Sequence, residues 1–416
     1  MNNGYIIRGG KTLSGKIKVE SAKNAVLPIM CACLLTEEQC VIESCPKITD
    51  VLNMVKILNK LGCKTKFEGE NLIIDSSLAK NVALDNSLTK ELRSSVFILG
   101  SMVSRFKKAS VSYPGGCDIG LRPIDLHINA FRELGVIVSE DGGEINCVAN
   151  KIVGNESYLD FPSVGATENI MLLTAVSDGT TVIYNPAKEP EIKDLMNFLN
   201  KMGAKIVGAG RDKIVIEGVK KLHGISYKAI GDRIEAGTFL IGTAITGGEI
   251  EISGIKAENL APLLNKLVNN TCNIRVKDDI IYLKSGLNRK GFFIDTRPHP
   301  GFPTDLQPQM LALACVSTGV SVIRENIFET RFKHVGELVK LGAEVTVKDR
   351  VAIVTGVERL KGGEVYAHDL RGGAALVLAG LNAYGKTMIH DVKHIERGYY
   401  AFEQKIKRLG GDIERF

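Results

Sequence analysis

Apolar and polar positions along this chain fall into two recurring patterns. The first is an amphipathic helical pattern that closes on Leu-Gly and runs into a short strand: ILNKLGCKTKF with Leu61-Gly62, FRELGVIV with Leu134-Gly135, FLNKMGAKIV with Met202-Gly203, LVKLGAEVTV with Leu341-Gly342 and IKRLGGDIERF with Leu409-Gly410. A sixth copy, LLNKLVNNTCNIRV around Leu267, lacks the glycine. The glycine predicts a helix end, because a residue in the left-handed region turns the chain out of the helix. The second pattern is an apolar helix, a turn and a β-branched strand. It also occurs six times, from CACLLTEEQCVIESC and FILGSMVSRFKKASVSYP to LVLAGLNAYGKTMIHDV. Polar turns and further strands follow most Leu-Gly sites, as in EGENLIID, AGRDKIVIEG, VKDDIIYLKS and VKDRVAIVTG.

The repeat period is about 65 to 75 residues, near one sixth of the 416-residue chain. A unit of that size cannot bury both faces alone, so the copies must pack together. The apolar helices (LLTAV, FLIGTAIT, MLALACV, ALVLAGL) carry no charge and predict burial all round. Helices inside and sheets outside predict two globular α/β domains of three copies each, rather than an open solenoid. The segment 223–239 is the candidate boundary, with Gly231 and Asp232 at the turn. The initial strand pattern, YIIRGGKTLSGKIKVE, precedes the first copy and could pair with either half.

Composition narrows the function. Net charge is +6 without a Lys/Arg block, and Trp is absent, which argues against a nucleic-acid surface and suits small anionic ligands. The nine cysteines include no C-x-x-C pair and several lie in apolar runs, so they read as reduced thiols of a cytoplasmic protein. No apolar run reaches the ~18 residues of a membrane helix, and the first residues lack a signal-peptide core. No H-E-x-x-H, Rossmann glycine motif or P-loop occurs, so no metal or cofactor is expected. His127, His299 and His394 lie in separate motifs.

The loop VSYPGGCDIGLRPIDLH places Cys117 after Gly115-Gly116 and five residues before Arg122. Taken alone, Cys117 reads either as a thiol activated by nearby cations or as a structural cysteine beside a turn. Six cations stand next to loop residues: Lys23 (beside Asn24), Arg93, Arg122, Arg331, Arg371 and Arg397. Singly each is a surface cation; together they suit an anionic substrate. Arg371 opens the apolar helix AALVLAGL, a place that favours anions. Asp305, in the stiff loop RPHPGFPTDLQPQM, reads either as a helix N-cap or as a positioned base.

These motifs carry a resemblance. SAKNAVLP, PGGCDIGLRPIDLH, PSVGATENIM, AKEPEI, GDRIEAGTF, PHPGFPTDLQ, FETRFKHV, DLRGGAALVLAG and HIERGY, in order and over the whole chain, are similar to the enolpyruvyl transferases that act on UDP-N-acetylglucosamine at the first committed step of peptidoglycan synthesis. The resemblance implies two inverted α/β domains, each of three βαβαββ repeats, with 1–21 joined to 231–416 and 22–230 forming the other. It implies small-molecule substrates, phosphoenolpyruvate and UDP-N-acetylglucosamine, and no cofactor. Cys117 would be the general acid, open to alkylation by the epoxide antibiotic fosfomycin, and Asp305 the base. Lys23, Asn24, Arg122, Arg371 and Arg397 would hold phosphoenolpyruvate, with Lys23 and Arg397 also catalytic. Arg93, Arg122, Pro123, Ile124, Asp125, Leu126, Ser163, Val164, Asp305 and Ile327 would line the nucleotide-sugar site, and Arg331 would act at the domain interface.

The anionic substrates need several fixed cations. With cations on both sides of residue 230, binding is expected to close the domains and exclude water, the Cys117 loop serving as lid. Two features depart from the family pattern. Thr49 stands where many relatives have lysine, near Lys47, and DLRGGAA replaces a more serine-rich version. The competing readings are 3-phosphoshikimate 1-carboxyvinyltransferase, against which the PGGC loop speaks, and a non-catalytic nucleotide-sugar-binding paralogue.

Overall fold

A computed structural model describes residues 4–82, 84, 96–113 and 124–416. Cys117, Arg122, Pro123 and Arg93 lie outside the described residues. The chain forms two compact units. One takes residues 4–20 and Gly231–Phe416, the other the described residues from Ser21 to Ile230.

Both units are built from one βαβαββ copy. The copy at 156–217 shows it plainly: strand Glu156–Tyr158, helix Val164–Thr174, strand Thr180–Tyr184, helix Pro190–Lys201, then strands Lys205–Val207 and Lys213–Glu217. The first strand pairs parallel with the second across the helical crossover, and the last two add antiparallel. Strand residues alternate buried and open, so each sheet turns one face inward.

The apolar helices run inside, as their low charge predicts. In the unit of 231–416 these are Arg233–Thr246, Gln307–Cys315 and Leu370–Asn382, which pack on one another and are buried on nearly every side. In the other unit they are Lys23–Ala32, Ile98–Phe106 and Val164–Thr174. Each full burial of a leucine or isoleucine contributes roughly 1.5–3 kcal/mol, so these triads are the main source of each unit's stability.

The opening segment supplies strands to copies far along the chain. Gly4–Arg8 pairs with Lys386–His390 and with Asp412–Arg415, completing the copy that ends at Phe416. Leu13–Lys18 pairs parallel with Gly248–Ser253, as the first strand of the copy whose helix is Arg233–Thr246. The strand that precedes that helix in sequence, Ser226–Lys228, instead pairs with Cys40–Glu43, as the first strand of the copy that begins with helix Lys23–Ala32. Both N-terminal strands therefore belong with 231–416.

The Leu-Gly turns share one geometry. Gly62, Gly135, Gly203, Gly342 and Gly410 have φ between 84° and 105°, and the next amide in each donates to a carbonyl five residues back. The sixth copy corrects the alignment suggested by its LNKL string. Its turn amide is Cys272, donating to Leu267, so Leu267 matches Leu58 and not Leu61. Thr271 holds the left-handed position at φ 72°. A β-branched residue there is strained; its hydroxyl donates to the Asn288 carbonyl.

Eight cysteines are described, all buried and reduced. Burial pushes the thiols of Cys45, Cys63, Cys147 and Cys315 up to about 12. No helix among the described residues is long and apolar enough to cross a membrane.

Candidate active site

Asp305 lies in the 3₁₀ turn Thr304–Leu306, just ahead of helix Gln307–Cys315. It does not cap that helix. Its carboxylate is gripped by two guanidinium groups instead. Arg331 Nη2 donates to Oδ1 at 2.9 Å and Arg371 Nη2 to Oδ2 at 3.1 Å. The arginine side chains are 2% and 4% exposed, the aspartate 27%. The carboxylate is thus fixed from behind while remaining open on one side. Burial alone would lower the Arg371 pKa, but Asp305, then Tyr399 and Asp232, raise it above the usual value. The guanidinium stays charged where an unpaired cation would be costly.

The elements explain this arrangement. Asp369 caps helix Leu370–Asn382, its Oδ1 accepting from the amides of Arg371 and Gly372 at 2.9 Å each. A Cβ at residue 372 would lie 2.6 Å from Asp369 Oδ2, so the first glycine of DLRGG is required by this cap. Burial would raise Asp369, but Arg331 and the two amides hold it below the usual carboxylate range. Glu325, which sequence reasoning missed, ties the loop together. It accepts from the Thr304 hydroxyl at 3.0 Å and from the amides of Ile327 and Phe328. One carboxylate therefore positions both the Asp305 turn and the backbone at Ile327. Arg331 is buried within its own unit, also donating to the Thr304 carbonyl. His334 is neutral, its pKa lowered to about 4 by burial, and its Nδ1 donates to the Arg331 carbonyl. Arg397 is half-buried in the turn before helix Phe402–Arg408.

In the other unit, Lys23 is the first residue of its buried helix, and its ammonium reaches Asp50 at 3.1 Å. Asp50 is buried in helix Thr49–Lys60 and was not singled out from sequence. Asn24 follows, half-buried. Thr49 is exposed at the start of that helix, and exposed Lys47 lies over the Phe67 ring at 5.1 Å. Ser163 caps helix Val164–Thr174 by accepting from Ala166. Ile124, Asp125 and Leu126 start helix Asp125–Glu133, with Ile124 buried and Asp125 exposed. His127 is buried and neutral, its pKa lowered to about 4 by burial, with Nδ1 2.8 Å from the Asn169 amide. Asn169 also holds Gly100 N and Val96 O, so this pair is structural. Among the described residues no group of three His, Cys, Asp or Glu could hold a metal.

Two units of βαβαββ copies around buried helices, with charged groups at the helix starts, define an enolpyruvyl transferase architecture. Comparison bears this out. Residues 7–406 match the family described as EPSP synthase (3-phosphoshikimate 1-carboxyvinyltransferase). UDP-N-acetylglucosamine 1-carboxyvinyltransferase 2 of Caldanaerobacter subterraneus subsp. tengcongensis is 48% identical over 99% of both chains. UDP-N-acetylglucosamine 1-carboxyvinyltransferase 1 of Clostridium acetobutylicum is 44% identical, again over 99% of each. The crystal structure of the enolpyruvyl transferase NikO from Streptomyces tendae superposes with a TM-score of 0.90 at 25% identity, covering 100% of this chain and 99% of that one. EPSP synthase from Acinetobacter baumannii shares the fold, with a TM-score of 0.76 at 19% identity over the full length of both. The chain belongs to the enolpyruvyl transferase family.

Proposed function

We propose that the chain transfers the enolpyruvyl group of phosphoenolpyruvate to the 3-hydroxyl of UDP-N-acetylglucosamine and releases phosphate, committing the sugar to peptidoglycan. The observation that carries this reading is the end-to-end identity of 44–48% to relatives named for that reaction. The 19% likeness to an EPSP synthase gives the fold alone.

The reaction has two stages. The sugar hydroxyl oxygen bonds to C2 of phosphoenolpyruvate as its proton leaves, and C3 gains a proton. The C2–O bond to phosphate then breaks and C3 loses a proton, leaving the enol ether and inorganic phosphate. Asp305 is assigned as the base at the hydroxyl. Two guanidinium groups orient it, and its remaining exposure gives it access to a ligand. Cys117, outside the described residues, is assigned as the acid at C3. Lys23, Asn24 and Arg122 from one part of the chain and Arg371 and Arg397 from the other are assigned to phosphoenolpyruvate, whose charge demands several cations. Ser163, Val164 and the stretch 122–126, with Arg93 and Ile327, are assigned to the nucleotide sugar. The protein is assigned to the cytoplasm.

Mass spectrometry of the nucleotide sugar after incubation with phosphoenolpyruvate tests the reading. A gain of one carboxyvinyl group with an equivalent of phosphate is expected. An unchanged nucleotide sugar would overturn it.

A further inference from the structure

Behind Arg371 stands a buried hydrogen-bonded cluster to which the reaction described above gives no part. The Tyr399 hydroxyl lies 2.8 Å from Thr238 Oγ1, and Gln309 Nε2 donates to both, at 3.2 and 3.1 Å. Thr238 donates to the Ile234 carbonyl, so it is free to accept from Tyr399. Thr238 and Gln309 have no solvent exposure and Tyr399 has 2%. The three side chains come from helix Arg233–Thr246, helix Gln307–Cys315 and the turn after Arg397. The cluster thus joins two of the unit's interior helices to that turn. The Tyr399 ring faces the Arg371 guanidinium at 5.4 Å between Cζ and ring centroid, with Phe402 behind it at 4.7 Å. Helix Leu370–Asn382, which carries Arg371, is thereby coupled to the same point.

Arg371 Nη2 donates to Asp305, while its buried Nε and Nη1 have no acceptor at good hydrogen-bonding geometry; the Tyr399 hydroxyl is the other side-chain group that acts on the guanidinium. A cation so placed takes its direction from the surface it rests on. A ring face attracts a guanidinium, more strongly when both are desolvated. The hydroxyl network prevents the ring from tilting, since a buried tyrosine hydroxyl that loses its partners is costly.

We propose that Tyr399 is a positioning residue for the enolpyruvyl transfer: pinned by Thr238 and Gln309, its ring sets the Arg371 guanidinium, which in turn sets Oδ2 of Asp305. The inference deepens the assignment of Asp305 as base and rests on it for its kinetic arm. The charged and titratable groups facing this assembly are Arg331 and Arg371 on Asp305, Asp305 and Asp232 on Arg371, Asp232 on Tyr399, Asp369 at the cap of the arginine's helix, and His334 beside Arg331 and Asp369.

The test compares Tyr399→Phe, Thr238→Val and Thr238→Ser with the parent enzyme. Phenylalanine keeps the ring and removes the pin; valine removes the acceptor without changing shape; serine retains the acceptor. Tyr399→Phe and Thr238→Val are expected to lower kcat about tenfold, since small displacements of a catalytic group cost this much or more. The KM for the nucleotide sugar is expected to stay within about twofold of the parent, so that the loss falls on kcat. Thr238→Ser is expected to behave as the parent. A Tyr399→Phe enzyme with lowered Tm but native kcat would reduce Tyr399 to a packing residue and overturn the proposal. A crystal structure of Tyr399→Phe reads the positioning without activity: the Arg371–Asp305 contact should lengthen beyond hydrogen-bonding range, and an unchanged contact overturns the proposal. If Asp305→Asn retains native turnover, the base assignment fails, and the crystallographic arm still decides whether Tyr399 positions Arg371.

Discussion

The two units share an architecture and treat buried charge differently. In the unit of 231–416 buried cations meet carboxylates at two places, while Arg289 donates to the carbonyls of Ala244 and Ile245. Arg331 and Arg371 share Asp305, and Lys405 sits between Glu235 at 2.6 Å and Glu20 at 2.9 Å. In the unit of 21–230 Lys23 likewise meets buried Asp50, but two further buried carboxyls are raised instead. Glu168 is buried in helix Val164–Thr174; burial, then the nearby Glu191 and Glu189, raise it well above the ordinary carboxylate range. Asp194 is pushed up to about 6 by burial, against hydrogen bonds from Tyr227 and Ile230. One fold therefore tolerates two solutions to buried polarity: pairing the charge, or neutralising it by keeping the proton. The paired solution favours an ionised carboxylate, which a base requires, although burial still raises Glu235 to about 7 beside Lys405. The neutral solution makes no such demand and leaves a carboxyl that titrates with the fold.

Four substitutions sharpen this contrast, in falling order of effect. Asp305→Asn is expected to lower turnover by about a thousandfold, within the usual range for removing a general base. Phosphate release measures it, and a loss under tenfold would remove Asp305 from the chemistry. Arg331→Ala is expected to cost about 3 kcal/mol of stability, because it takes one partner from a largely buried ion pair; denaturant titration reads this, and a cost below 1 kcal/mol would mean that Arg371 alone suffices.

Glu168→Gln should act in the opposite sense. A carboxyl raised by folding contributes stability that is full below its unfolded pKa and declines as pH rises through the folded value. The amide removes that decline. A gain of about 1 kcal/mol at pH 8, roughly 2–4 °C in Tm, with no gain near pH 4, is expected. A pH-independent change would show that the carboxyl is not protonated on folding. Thr271→Gly tests the sameness of the copies. Relief of a β-branched residue in the left-handed region exceeds the loss of one exposed hydrogen bond, for a net gain of about 0.5 kcal/mol; a loss in thermal unfolding would mean that the bond to Asn288 outweighs the strain.

Much of this was legible in the chain. The sixfold repeat, the charge-poor interior helices and the turn glycines follow from periodicity and backbone chemistry, because burial and left-handed turns constrain residue type directly. Arg371 at a helix start and Asp305 before another were also visible. What sequence could not reveal was pairing across distance. Gly4–Arg8 meets Lys386–His390, nearly a chain length away, and no local pattern specifies that partner. Asp50, Glu325 and Tyr399 look like ordinary helix, strand-end and turn residues until the fold brings them to Lys23, Ile327 and Arg371. The register of the Leu267 copy misled for a related reason. The string LNKL repeats by composition, while the helix there ends three residues later, at Asn270.

The measurement that bears most directly on the account is phosphate release from phosphoenolpyruvate with each of two acceptors, UDP-N-acetylglucosamine and shikimate 3-phosphate. Release with the nucleotide sugar, and none above background with shikimate 3-phosphate, is expected. Release with shikimate 3-phosphate alone would keep the fold and the donor and contradict the acceptor. Release with neither would contradict the assignment of an enolpyruvyl transfer to this chain.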